Sequence, residues 1–195
     1  MARPSVAAER RDQIIEATLQ TVVQYGVSGA SLDRIAETAG MSRGHVRHFV
    51  GNRDQLLLDT ARHVFADEDG QLTILPTSVA TFAQALDYLF GEEFTRSDAE
   101  NAIVLGFVEL SRTNTEIAEI LSLAYSRTRN RLAELAAEDY PGTTPTTCMI
   151  IADGTLSAAL GNVFMGDFDH DDIRTANART AVEALVSALR GAHPQ

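Results

Sequence analysis

An all-α fold of about nine helices is predicted by three features of the chain. Apolar residues recur mostly at three- and four-residue spacing rather than in strict alternation. Turn-rich β signals are sparse. Ser and Asn residues stand before apolar runs, with Gly or Pro after them, where helices need caps and stops. With 195 residues and 45% apolar content, the chain can bury one large core, or a small and a larger one, and is not of disordered composition.

In chain order, residues 1–8 read as a frayed end whose Arg3 could reach a groove. A first helix covers about 9–25, with Ile14, Ile15, Thr18, Leu19, Val22 and Val23 on one stripe and Gly26 as its stop. Ser31 caps a second helix through Ala39, with Asp33 in its first turn, and Gly40 ends it. Ser42 caps a third, to about Phe49. Asn52 with Gln55 forms a capping-box pattern for a fourth, about 53–66, burying Leu57, Ala61, Val64 and Phe65.

Gly and Pro in 67–76 mark a joint between domains. A fifth helix is expected over about 78–94, and Ser97 with Glu100 caps a sixth ending near Thr113. Asn114 opens a seventh to about Asp139, stopped by Tyr140-Pro141-Gly142. An eighth runs from about Pro145 to Met165 and, after an acidic loop, a ninth from about Asp171 to Arg190. No internal repeat is visible.

Charge is unevenly placed. Residues 1–65 hold eight Arg against seven acids, whereas the remainder holds eight Arg against twenty acids, within a net charge of -11. Between Thr38 and Arg53 there is no Asp or Glu, only Arg43, Arg47, Arg53, His45 and His48. Such a window in an acidic chain is either a solvated face or a place kept clear for a polyanion.

The window's apolar pattern favours the second reading. Ala36 is small enough for a second helix to cross the first, and Gly40 tolerates the positive φ of a tight turn. Leu32, Ile35, Ala39, Met41, Val46 and Phe49 stand where both helices would need anchors, which turns Arg43, Gly44, His45, Arg47 and His48 outward. That is a helix-turn-helix with its second helix suited to a major groove. An ordinary helical hairpin explains the apolar spacing but not the acid-free basic surface.

These residues resemble the N-terminal DNA-binding domain of the TetR (tetracycline-repressor) family of bacterial transcription regulators. The likeness rests on Ile35-Ala36, Ala39-Gly40, Ser42-Arg43-Gly44, His48-Phe49, Arg53-Asp54 and Leu56-Leu57. It implies that Arg43, Gly44 and His45 read bases, while Arg47, His48 and Arg53 hold the phosphate backbone, helped by Ser31 and Ser42 at helix N-termini. Many members carry Tyr where this chain has Arg47, which can hold a phosphate or reach a base. The implied division is a DNA-binding domain over 1–53, a connecting helix over about 53–66, and an effector-binding and dimerisation domain over 67–195.

In the body, large apolar residues at helical spacing serve a packed core, and some would line a small-molecule cavity. The resemblance makes Phe65, Leu86, Phe90, Phe107, Tyr125 and Met149 the effector candidates. Gly154, Ala158 and Gly161 give the eighth helix a narrow small-residue face, and the ninth has more apolar surface than one neighbour covers. A homodimer packed through these helices is expected, with Leu185 and Leu189 at its interface and double-stranded operator DNA as partner. The 150–164 segment is also similar to the corresponding helix of the choline/betaine regulators.

Other chemistries find little footing. No nucleophile elbow or phosphate loop is present, and neither catalysis nor a cofactor is expected. Cys148 is the single cysteine and reads as a packing residue. His45 and His48 lack a third ligand in their turn, and residues 167–178 lack the Gly and terminal acid of a calcium loop, so no metal is expected. No apolar run approaches the ~18–20 residues of a membrane span, and a cytoplasmic protein is expected. The reading is therefore a repressor released from a palindromic operator by a small molecule. An activator, an effector-free regulator, or an enzyme or carrier with a structural hairpin are the alternatives.

Overall fold

Helix caps and stops punctuate the computed structural model much as the sequence pattern requires. It describes residues 6–95, 98–169, 171 and 173–191. Arg3 of the expected arm, the expected cap Ser97 and Asp172 of the acidic loop lie outside the described residues. The helices are α1 (Val6–Gly29), α2 (Leu32–Thr38), α3 (Arg43–Val50), α4 (Arg53–Val64), α5 (Phe82–Leu89), α6 (Glu92–Thr95), α7 (Asp98–Ser111), α8 (Thr115–Asp139), α9 (Pro145–Gly166) and α10 (Arg174–Gly191).

Three departures from the expected elements have local causes. Gly26 leaves helical geometry, at φ 70° and ψ 166°, but helical turns resume and α1 reaches Gly29. The fifth helix starts at Phe82 rather than near Ser78, because the Thr81 side chain accepts from the Gln84 N–H at 3.1 Å and so serves as the N-cap. It also stops early. Phe90 and Gly91 close it, with the Phe90 N–H donating to the Leu86 carbonyl at 3.0 Å, and α6 follows as a separate turn. That break makes ten helices among the described residues instead of about nine.

The chain forms two compact units, Met1–Ala66 with Ala102–Ser122, and Asp67–Asn101 with Leu123–Gln195. In the first, Ile14, Val22, Ile35, Val46, Leu56 and Phe107 are almost wholly buried. Thr18, Thr21 and Thr60 share this core because each hydroxyl donates to the carbonyl one turn earlier, at 2.8, 2.6 and 2.8 Å. Val23, expected on the buried stripe, is 43% exposed, and Ala17 and Thr21 take that face instead. Gly106 on α7 meets Val27 so closely that a Cβ there would lie 2.5 Å from Val27 Cγ2.

The second unit packs α5, α9, α10 and the later part of α8 around Phe82, Leu89, Leu132, Leu135, Ile151 and Val186. Asp139, the last residue of α8, accepts from the Phe82 N–H at 2.8 Å and so tethers the start of α5. Cys148 is buried, as its packing role requires. By length and composition α9 could cross a bilayer, its best window having a mean hydropathy of 1.4, which the run of apolar residues alone had not indicated. Thr147, Cys148, Ile151, Ala152, Thr155, Leu156, Ala159 and Asn162 are nevertheless buried in this unit, and Asp153 pairs with Arg129 at 3.6 Å. One face of α9 is thus part of this unit's core.

Candidate nucleic-acid interface

The interface is built from two short helices that would not hold alone, since seven or eight residues are too few for a stable isolated helix. Their ends are therefore closed by side chains. Ser31 Oγ accepts from the Arg34 N–H at 3.3 Å, Ser42 Oγ from the His45 N–H at 3.2 Å, and Asn52 Oδ1 from the Gln55 N–H at 2.8 Å. The Asn52 capping box is one-sided: Gln55 donates through Nε2 to Asp59 at 3.0 Å instead of turning back. Gly40 has φ 65° at the turn, as expected, and the Met41 N–H donates to the Ala36 carbonyl at 2.9 Å.

Inward, α3 buries Val46 and Val50, while Phe49, Leu32 and Met41 are half-buried. Val50 was not among the expected anchors, although its i+4 relation to Val46 was the available signal. Outward, Arg43, Gly44, His45, Arg47 and His48 are all exposed. The histidine rings are not loose: both pack on Phe49, with centroids 5.0 Å (His45) and 5.2 Å (His48) away. Among the described residues there is no His, Cys, Asp and Glu grouping able to hold a metal.

Two arginines behave differently from their neighbours. Arg43 Nη1 contacts Asp33, at 3.1 Å from Oδ2 and 3.3 Å from Oδ1, in a solvent-facing pair. Arg53 lies at the start of α4 with its side chain only 33% exposed. Its Nε donates to the Ala30 carbonyl at 2.8 Å and its Nη2 to the Val27 carbonyl at 2.6 Å. It bolts α4 to the α1–α2 joint, a role the sequence reading did not include. Arg11, donating to the Phe49 carbonyl at 3.1 Å, and Gln13, donating to the Ala39 carbonyl at 3.0 Å, do the same for the ends of α3 and α2.

The six effector candidates are divided between the units. Phe65 and Phe107 are buried edge-to-face in the first, with centroids 6.3 Å apart. Leu86 and Phe90 belong to the core of the second, and Tyr125 and Met149 pack against it. Burial raises the Tyr125 phenol above its ordinary pKa. Of the dimer candidates, Gly154 closely approaches Leu185 of its own chain, while Ala158 and Leu189 pack against that core. Gly161 is exposed. So are Ile150, Phe164 and Met165 on α9, and Ala176, Thr180, Ala184 and Ala188 along α10.

A basic, acid-free helix set on a capped helical pair defines a helix-turn-helix protein. Residues 14–60 match the family described as bacterial regulatory proteins, tetR family. The regulator BetI of Paraburkholderia phytofirmans is 48% identical over 58 residues, and that of Paraburkholderia phymatum 42% over 67. These matches span only 30% and 34% of this chain and of the respective relatives.

The fold likeness is broader. A TetR-family regulator from Cytophaga hutchinsonii superposes with a TM-score of 0.74 at 13% identity, over 96% of this chain and 98% of that one. A transcriptional regulator from Saccharomonospora viridis, solved in complex with choline, gives 0.70 at 17% identity, over 92% and 96%. Residues 14–60 thus carry the N-terminal domain of the tetR family, and the chain shares the fold of a TetR-family regulator.

Proposed function

We propose that the chain is a ligand-responsive transcriptional repressor that binds a near-palindromic DNA operator as a homodimer and leaves it when a small molecule binds. The observation that carries this reading is the outward row Arg43, Gly44, His45, Arg47 and His48 on a helix whose inward residues Val46 and Val50 are buried. Arg43, Gly44 and His45 lie in the first turn, which enters a major groove first and reads base edges. Arg47 and His48 hold phosphates from the last turn. Arg53 commits Nε and Nη2 to carbonyls, and its Nη1, 3.8 Å from Asp54 Oδ1, is the nitrogen that would turn to the phosphate backbone.

Homodimerisation is supported by the small, uncharged row Ala176, Thr180, Ala184 and Ala188 on α10, beside exposed Gly161 and Phe164 on α9. Two copies would then address half-sites ~34–36 Å apart. The effector must bind the DNA-incompetent state more tightly, because equal affinity for both states shifts nothing. Choline is the first ligand to try, given the Saccharomonospora viridis structure.

The test is recovery of bound fragments from the source genome, followed by gel shifts of the enriched duplex with and without choline. Tight, salt-dependent binding of a two-fold-symmetric site is expected. Failure to enrich any duplex would favour the structural-hairpin alternative.

A further inference from the structure

We propose that Asp33 is a specificity-determining residue that acts by positioning Arg43 on DNA; this rests on the DNA-binding reading above. Asp33 lies in the first turn of α2, and Arg43 is the first residue of α3. The helix turn brings the two together across ten residues of sequence, with Nη1 of Arg43 facing both carboxylate oxygens. Asp33 is thus the acid that reaches into an otherwise acid-free window.

Two consequences follow from that geometry. The contact uses Nη1 alone, while Nε and Nη2 make no hydrogen bond among the described residues. Those two N–H groups form one flat edge of the guanidinium, a fork that fits O6 and N7 of a guanine. With Nη1 held, less side-chain freedom is lost when the fork engages.

The second consequence concerns wrong sites. A phosphate at the same fork would set an anion beside the Asp33 carboxylate, which repels it, whereas O6 and N7 of a guanine are neutral acceptors. A guanine fork leaves the pair intact. Asp33 therefore lowers affinity for arbitrary DNA more than for a site with guanine at the facing position, which is how a repulsive element raises selectivity.

An acid in the first turn also favours α2 through the helix dipole, so the experiment must separate the two roles. Full-length wild type, Asp33→Ala, Arg43→Ala and the double variant would be used to select duplexes from a random-sequence library. Each would then be titrated against the enriched duplex and an unrelated one of equal length. For Asp33→Ala the ratio of the two affinities should fall by about tenfold, the scale of one base pair's discrimination. Preference for guanine at one position in each half-site should flatten. Binding of the unrelated duplex should steepen in salt by about one unit of slope as Arg43 becomes free for a phosphate.

In the Arg43→Ala background the second substitution should leave the ratio unchanged. Equal loss of both affinities, tracking a lower melting temperature, would overturn the proposal, as would an effect that persists without Arg43. If wild type selects no sequence at all, the DNA-binding reading falls and this inference with it.

Discussion

The two units are held together by different means. In the second, long helices bury a continuous apolar core, and polar bonds such as that from the Phe82 N–H to Asp139 trim its edges. In the first, α2 and α3 are too short to bury much, and side chains from α1 and α4 bind carbonyls at their ends and at the α1–α2 joint: Arg11 to Phe49, Gln13 to Ala39, Arg53 to Val27 and Ala30. Apolar burial is non-directional and leaves packed helices free to settle by small shifts. A hydrogen bond fixes an atom to within a few tenths of an ångström. The unit proposed to present four side chains to a rigid duplex is the one positioned by bolts.

The comparison predicts that core truncation and bolt removal fail differently, and the largest effect belongs to the core. Phe82 is fully buried and packs edge-to-face on Tyr140 at 5.7 Å. Phe82→Ala should cost about 3–5 kcal/mol of the second unit's stability by denaturant titration. A loss below about 1 kcal/mol would mean that this core is not what holds the unit.

Arg53→Ala should come next. It leaves the Val27 and Ala30 carbonyls without their charged donor, a loss of about 2–3 kcal/mol. It should weaken binding to all duplexes alike. Lys cannot reproduce the paired geometry, so Arg53→Lys should recover less than half of the stability. A salt slope flattened by about one unit with no change in stability would instead make Arg53 purely a phosphate contact.

That prediction shows where sequence reading stops. Ser31, Ser42, Asn52 and Gly40 were legible because caps and positive-φ turns depend on residue type over three or four positions, and each sits where expected. The outward row on α3 was legible for the same reason. Arg53's two bonds span 23 and 26 residues, and Asp33 meets Arg43 across ten, so no local pattern encodes them. The start of α5 was legible in principle. Thr81 with Gln84 repeats the cap spacing already recognised at Asn52 and Gln55, but Ser78 offered a competing start. The intrachain fit of Gly154 to Leu185 was invisible, because small residues serve packing inside one chain as readily as between two.

The smallest expected effect is also the sharpest test of the comparison, because it puts apolar packing against a bolt. Gly106 on α7 faces Val27, whose carbonyl accepts from Arg53, in the joint that precedes the Ser31 cap. Gly106→Ala would place a Cβ 2.5 Å from Val27 Cγ2. Overpacking of this kind costs about 1–3 kcal/mol. Val27 cannot yield freely while Arg53 grips its carbonyl, so strain should pass into the joint and reduce DNA affinity several-fold, although neither residue is among the proposed DNA contacts. Val27→Ala in the Gly106→Ala background makes room without removing the carbonyl, and should recover both stability and binding. If affinity is unchanged while stability falls, the joint absorbs the strain, and the bolts position α2 and α3 independently of α7.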